Sequence, residues 1–311
     1  NNSAPFCTST GVNFPASTNT TAPVGPDYGC LGSQPNPAWY YLNISTIQKR
    51  HGETITEEFK KKFKINGKFE DKNGKKILIS GSARITGDWR DHIDEKEKIT
   101  SLSISLKKTN IGGVTKFRLL LPHTKNGDYE IFWSLLMSEL GFPVPMRKYI
   151  YATINGIRDK YIFEEKPEKE FLESIGIRES PIIEFDERQV WENIASNYDF
   201  NGGTKDKKKR KIRNVSPHNN ISQLKIKNSD FIKNKTSELI ALKAIANLSL
   251  KNDQDKDLLK EPVNNLLKIY DDLNRKYARH GLNNSNRKYI YDPIYNNYLP
   301  IYFDGNIKYQ L

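Results

Sequence analysis

The stretch KYIYATINGIRDKYIF, from Lys148 to Phe163, sets two runs of alternating apolar and polar residues on either side of Asn155-Gly156. Both central positions tolerate positive φ, which the tightest two-residue turn between antiparallel strands requires. The pattern predicts a hairpin over Lys148 to Ile154 and Ile157 to Phe163, with Glu164 and Glu165 directly after it. Working outward toward the N-terminus, Phe63 to Phe69 and Lys76 to Ile85 alternate with the period of two that suits half-buried strands, and Asp71-Lys72-Asn73-Gly74 supplies a turn between them. Ser101 to Lys107 sets Leu102, Ile104 and Leu106 against three serines, and Thr115 to Leu121 follows the Ile111-Gly112-Gly113 breaker. The sum is a twisted antiparallel sheet of four or five strands, with the Asn155-Gly156 hairpin as two further strands.

Between these strands, Ile131, Phe132, Leu135, Leu136 and Leu140 recur at helical spacing after Asp128 and before Gly141 and Pro143. They predict a helix capped by Asp128 and buried along that apolar stripe. Beyond Glu165 the pattern turns mainly helical: Pro167 to Ile175, a short strand over Pro181 to Phe185, then Thr236 to Leu250. A last helix opens at Pro262 with Val263, Leu266, Leu267, Tyr270, Leu273 and Tyr277 on one face. The expected fold class is therefore α+β. No period of 20 to 50 residues repeats, which argues against a solenoid or propeller.

A chain of 311 residues, 36% hydrophobic and 28% charged, can bury a substantial core. The longest apolar candidate, Ile131 to Met146, is interrupted by Glu139, Gly141, Pro143 and Pro145, so no membrane span is expected. A net charge of +12 attracts anions in general. The one dense basic run, Lys207 to Lys211 with Lys205 and Arg213, reads as a solvated loop or as a docking patch. Before residue 45 there is no Lys, Arg or Glu, and both cysteines, Cys7 and Cys30, lie there. They read as one disulfide in an oxidising compartment, the alternative being two unpaired thiols. The chain begins with Asn, which fits either a removed leader or a fragment.

Four motifs carry a resemblance that covers most of Ser82 to Asn306. They are Ala83-Arg84-Ile85-Thr86-Gly87-Asp88-Trp89-Arg90; Trp133 to Glu165; Arg178 to Glu187; and His280-Gly281-Leu282, Asn286 to Pro293 and Leu299 to Asn306, the last including Phe303-Asp304-Gly305. Together they resemble the CotH kinase family, the spore-coat CotH-like atypical protein kinases. Residues 1 to 45 resemble a segment of secreted Bacteroidota surface proteins.

The resemblance implies a bilobal protein-kinase-like fold: a Pro/Thr/Asn-rich segment over 1–45, a sheet-rich nucleotide-binding lobe over 46–165, and a mainly helical lobe over 166–311 that leaves open truncation at Leu311. It implies ATP and Mg²⁺ or Mn²⁺ as cofactors, with Asp304 and Asn286 as metal ligands, because hard cations take oxygen donors. His280 stands as the candidate proton acceptor. Arg84 and Gly87 would contact phosphate, Glu130 would pair with a phosphate-binding cation, and Glu164 or Glu165 would lie near the adenine or ribose. A protein substrate, among surface or coat proteins, and a secreted or envelope location follow from the same likeness.

Two departures stand against this pattern. Ser101 to Leu106 carries no basic residue where the family has them, so a phosphate-holding lysine is unassigned, and His280 to Ser285 offers no carboxylate. These favour an alternative, a catalytically inactive surface or adhesive module. A nucleic-acid or anionic-polymer binder using the Lys207 to Arg213 run is the third possibility. For a zinc site the five histidines lack close pairing, and no phosphate-loop fingerprint occurs.

Overall fold

The computed structural model describes residues 28–31, 54–55, 57–70, 74–94, 96–186, 191, 224–254, 263–283 and 286–307, with the side chains of 28–31, 58, 249–254 and 263–267 excluded. The Cys7–Cys30 pairing, the turn at 71–73, the basic run at 205–213 and the side chains of Val263, Leu266 and Leu267 lie outside the described residues. The chain is α+β, with one large curled antiparallel sheet and few helices. Its described residues divide into two compact units, the first formed by those up to Thr124 with Arg147–Glu165, the second by those of Lys125–Met146 and from Lys166 onward.

In the first unit β1 (Tyr28–Leu31), β2 (Phe63–Glu70), β3 (Lys76–Ile85), β6 (Leu102–Leu106), β7 (Lys116–Leu120), β9 (Ile157–Glu165) and β8 (Arg147–Ile154) follow one another around a closed barrel. A two-stranded ribbon, β4 (Ile93–Asp94) with β5 (Ile99–Thr100), accompanies it. All barrel pairings are antiparallel except that of β1 with β8. The Asn155-Gly156 turn has φ of 53° and 83°, both in the left-handed region that this two-residue connection demands, and sets Arg147 opposite Glu164. The sheet is larger than its sequence suggests because the 148–163 hairpin joins it through β7, with Phe117 opposite Glu165 and Leu120 opposite Ile162.

Alternation then decides what lies inside. Phe63, Ile65 and Phe69 of β2, Ile79 and Ala83 of β3, and Leu102, Ile104 and Leu106 of β6 share one core with Phe117, Ile150 and Phe163. The Phe117 and Phe163 rings stack at 4.6 Å. Each such large side chain contributes about 1.5–3 kcal/mol on full burial. On the β8–β9 hairpin, Lys160 Nζ lies 3.6 Å from the Tyr149 ring centroid and the Arg158 guanidinium 4.8 Å from that of Tyr151, so cations cover aromatic surface by cross-strand pairing.

The second unit holds α1 (Gly127–Glu139), α2 (Lys169–Ser174), α3 (Lys235–Gln254) and α4 (Val263–Tyr277). Its sheet has the order β11 (Leu224–Ile226), β10 (Ile182–Phe185), β12 (Lys288–Asp292), β13 (Asn297–Ile301). Both faces of this sheet are covered. Ile182, Ile290 and Ile301 pack on Phe171 and Leu172 of α2, while their neighbours Ile183, Tyr291 and Tyr298 pack with Ala244 of α3. That explains why the strands read as apolar runs rather than as clean alternation.

Helix α1 corrects an expectation. It starts from Asn126 rather than Asp128, and its buried residues are Gly127, Glu130, Trp133, Ser134 and Met137. Three residues of the stripe expected inside are turned outward, Phe132 54%, Leu135 60% and Leu140 48% exposed, while Leu136 packs partly buried. The cause is polar: Trp133 Nε1 donates to Asn274 Oδ1 at 3.0 Å, Asn274 Nδ2 donates to the Tyr270 carbonyl at 2.8 Å, and Glu130 accepts three hydrogen bonds from residues 302–306. Leaving such groups buried without partners costs about 1–3 kcal/mol each, more for a charge, so their satisfaction outweighs placing a few more methyl groups inside. Among the described residues no helix is long and apolar enough to cross a membrane.

Candidate functional site

The second unit gathers several chemistry-bearing side chains around the end of β13. Asp304 follows that strand in a left-handed backbone conformation, φ 54°, and Asn306 has φ 45°. For residues other than glycine such angles cost on the order of 1 kcal/mol or more and persist only where surrounding contacts enforce them. Glu130 supplies that enforcement. Its Oε1 accepts from the Tyr302 hydroxyl at 3.1 Å and from the Gly305 N–H at 3.3 Å, and its Oε2 accepts from the Asn306 N–H at 2.9 Å. Asn126, at the start of α1, adds a second tie: its Nδ2 donates to Asn306 Oδ1 at 2.6 Å and to the Ile307 carbonyl at 2.9 Å.

The Asp304 carboxylate is nearly buried, with an 11% exposed side chain, and has a lysine at one oxygen and a histidine near the other. Lys125 Nζ lies 2.6 Å from Oδ1, and His280 Nε2 lies 3.7 Å from Oδ2. A charge removed from water to this degree needs such a partner. His280 belongs to the loop after α4. Asn286 Nδ2 donates to the His280 carbonyl at 3.0 Å, so that amide keeps its oxygen as the group a cation would use. Gly281 has a specific reason in this loop: a Cβ there would stand 2.9 Å from the Phe303 carbonyl oxygen and 3.4 Å from that of Asp304. The loop thus closes on the strand end only because position 281 lacks a side chain.

Asp304, Asn286 and His280 are accordingly brought into one connected cluster, and Glu130 joins it from α1. Lys125, Asn126 and Tyr302 escaped sequence reasoning. Lys125 is one of 49 basic residues, and nothing in its spacing marks it. Among the described residues no three His, Cys, Asp or Glu side chains form a metal-holding group. A magnesium-type ion is commonly held by one or two carboxylates together with phosphate oxygens and water, and the Asp304 carboxylate with the Asn286 amide oxygen is a donor set of that kind.

The sequence candidates in the first unit have partners of their own. Arg84, in β3, reaches Glu57 Oε2 at 3.4 Å, and Lys60 bridges Asp88 at 2.6 Å and Glu57 at 3.2 Å. Gly87, φ 96°, lies against the His92 imidazole, which a Cβ would strike, and His92 Nδ1 meets Ser101 Oγ at 2.9 Å. Glu164 is 1% exposed and sits between two arginines that face it directly across neighbouring strands: Arg147 Nε donates to Oε2 at 2.8 Å, and the Arg118 guanidinium pairs with Oε1. Glu165 is buried beside it.

Another buried carboxylate, Glu184 of β10, lies in the second unit with Lys288 at 2.5 Å, Lys227 at 3.3 Å and Lys225 at 3.5 Å. Burial alone would raise its pKa, but the Lys288 ammonium, with Lys227 and Lys225 behind it, holds the carboxyl far below the usual carboxylate range. Lys288 also lies 4.3 Å from the centroid of Phe303, the residue preceding Asp304.

No family model matches this chain, and no curated protein matches it significantly.

Proposed function

We propose that the chain is a CotH-like atypical protein kinase, transferring the γ-phosphoryl group of ATP to Ser or Thr of exported or surface proteins, with the two units corresponding to the sheet-rich and helical lobes of a kinase-like fold. The single observation that carries this is the convergence on Asp304. A nearly buried carboxylate, held in left-handed backbone by Glu130, has a lysine on one oxygen and a histidine near the other. In a phosphoryl-transfer site the protein has little covalent chemistry to perform and works by positioning and charge.

Asp304 and Asn286 would hold the divalent cation, and His280, with Lys125, lines the same carboxylate. A cation bound there neutralises charge on the phosphate oxygens and fixes their orientation. Lys125 would supply a compact positive charge to those oxygens, the role left unassigned by the sequence. His280, 44% exposed on its side chain, is open to an incoming hydroxyl and can accept its proton. Glu130 acts through the backbone of Gly305 and Asn306, keeping the Asp304 carboxylate aimed.

One observation favours a second possibility, a module that binds nucleotide without turnover: the loop from His280 to Ser285 has no carboxylate to serve as a base. One experiment separates the two. Incubation with Mg²⁺- or Mn²⁺-ATP is expected to label the protein in a manner abolished by Asp304→Asn. A rise in thermal midpoint with Mg²⁺-ATP but no transfer would favour the binding module, and no shift at all would remove nucleotide from both.

A further inference from the structure

We propose that Lys125 is a displaceable cap on Asp304: its ammonium occupies the carboxylate oxygen that a divalent cation requires, and it leaves that oxygen for phosphate when the cation arrives. This rests on the assignment of Asp304 as metal ligand made above. Lys125 Nζ stands 2.6 Å from Asp304 Oδ1, the separation of a close ion pair, with both side chains 11% exposed. A divalent ion and an ammonium at one buried oxygen repel each other where water is scarce, so each weakens the other's hold on it.

The two partners differ in freedom. Asp304 belongs to a segment fixed by Glu130 through the Gly305 and Asn306 N–H groups. The backbone next to Lys125 is fixed too, since Asn126 is tied to Asn306 and Ile307. What remains movable is the four-carbon lysine stem, which carries a point charge that can re-aim without disturbing its Cα. Exchange therefore moves the ammonium and leaves the carboxylate in place. A displaced ammonium is buried charge in need of an anion, and phosphate oxygens brought in with the cation meet that need. Metal alone is then bound weakly, and metal with nucleotide is bound together, each favouring the other by the same factor.

Mn²⁺ binding to the full chain without nucleotide, followed by electron paramagnetic resonance, tests this. Lys125→Met is expected to bind Mn²⁺ at least tenfold more tightly than the wild type, and to lose most of the tightening that a non-hydrolysable ATP analogue produces in the wild type. Equal or weaker Mn²⁺ binding by Lys125→Met, with binding still abolished by Asp304→Asn, overturns the cap and leaves the metal assignment standing. Undiminished Mn²⁺ binding by Asp304→Asn overturns the metal assignment and the cap with it.

A measurement on the wild type needs no substitution. Acetylation of Lys125 by an amine-reactive ester, quantified by peptide mass spectrometry, is expected to rise several-fold when Mn²⁺ is added and to fall again when the ATP analogue follows. An unchanged rate on adding Mn²⁺, under conditions where the resonance signal shows the ion bound, overturns the cap.

Discussion

Glu164 and Asp304 are both nearly buried carboxylates between two basic groups, yet they are built for different ends. Glu164 lies inside a regular strand, and its partners Arg147 and Arg118 occupy the facing positions of the strands on either side. Planar guanidinium forks on well-ordered strands lock such a carboxylate in place. Asp304 lies just past a strand end, in left-handed backbone, against a lysine and a half-exposed histidine. Its partners are a flexible point charge and a group that is charged only when protonated. Burial and ion pairing alone therefore do not mark a functional carboxylate. Replaceable partners and enforced backbone strain are what set Asp304 apart, and the proposed function rests on them.

Substituting Glu164 offers the strongest way to break this contrast. Glu164→Gln leaves two guanidiniums facing a neutral amide and is expected to cost about 3–5 kcal/mol, the usual penalty for removing one member of a buried ion pair. Thermal denaturation followed by circular dichroism should show a drop on the order of 10 °C. Asp304→Asn should cost less, about 1–2 kcal/mol, because an asparagine oxygen still accepts from Lys125, the half-exposed His280 keeps contact with water, and asparagine tolerates the left-handed backbone. If Asp304→Asn proves as destabilising as Glu164→Gln, Asp304 is structural and the contrast fails.

Glu184 sharpens the comparison through pH. Its carboxyl is held below its ordinary value, so its contribution is fully present above about pH 4.5 and is lost as pH falls toward the depressed folded value. The stability gap between wild type and Glu184→Gln, measured by urea unfolding, should therefore be smaller at pH 3 than at pH 7. A gap that widens in acid would reverse the sign assigned to the Lys288 pair.

The smallest effect concerns helix α1. Phe132→Ser, on the exposed stripe, is expected to change stability by no more than about 0.5 kcal/mol, whereas Trp133→Ala should cost about 3–5 kcal/mol. Comparable losses at the two positions would restore the buried stripe that the sequence suggests.

How far the sequence could be read follows from the kind of signal each element emits. The 148–163 hairpin was legible in full because Asn155-Gly156 fixes register, and counting back from that turn places Arg147 opposite Glu164. The ion pair was thus available to arithmetic, although Arg118 on the third strand was not. Helix α1 was legible as a helix, but its rotation was not, because the exposed Phe132, Leu135 and Leu140 outnumber Trp133 and Met137, the large apolar residues of the buried face. What turns the helix is the pairing of Glu130 and Trp133 with groups more than 130 residues away in sequence. In the candidate site, Asp304, Asn286 and His280 were found by motif, while Lys125 required coordinates. A lysine in so basic a chain is informative only by what it touches.

The double tie from α1 to residues 304–307 reaches beyond geometry to timing. The amide hydrogens of Gly305 and Asn306 are sequestered by a carboxylate from a distant part of the sequence rather than by a neighbouring strand. Their exchange with deuterium therefore waits on loosening of the helix, so α1 and the acidic turn would open and close as one cooperative patch.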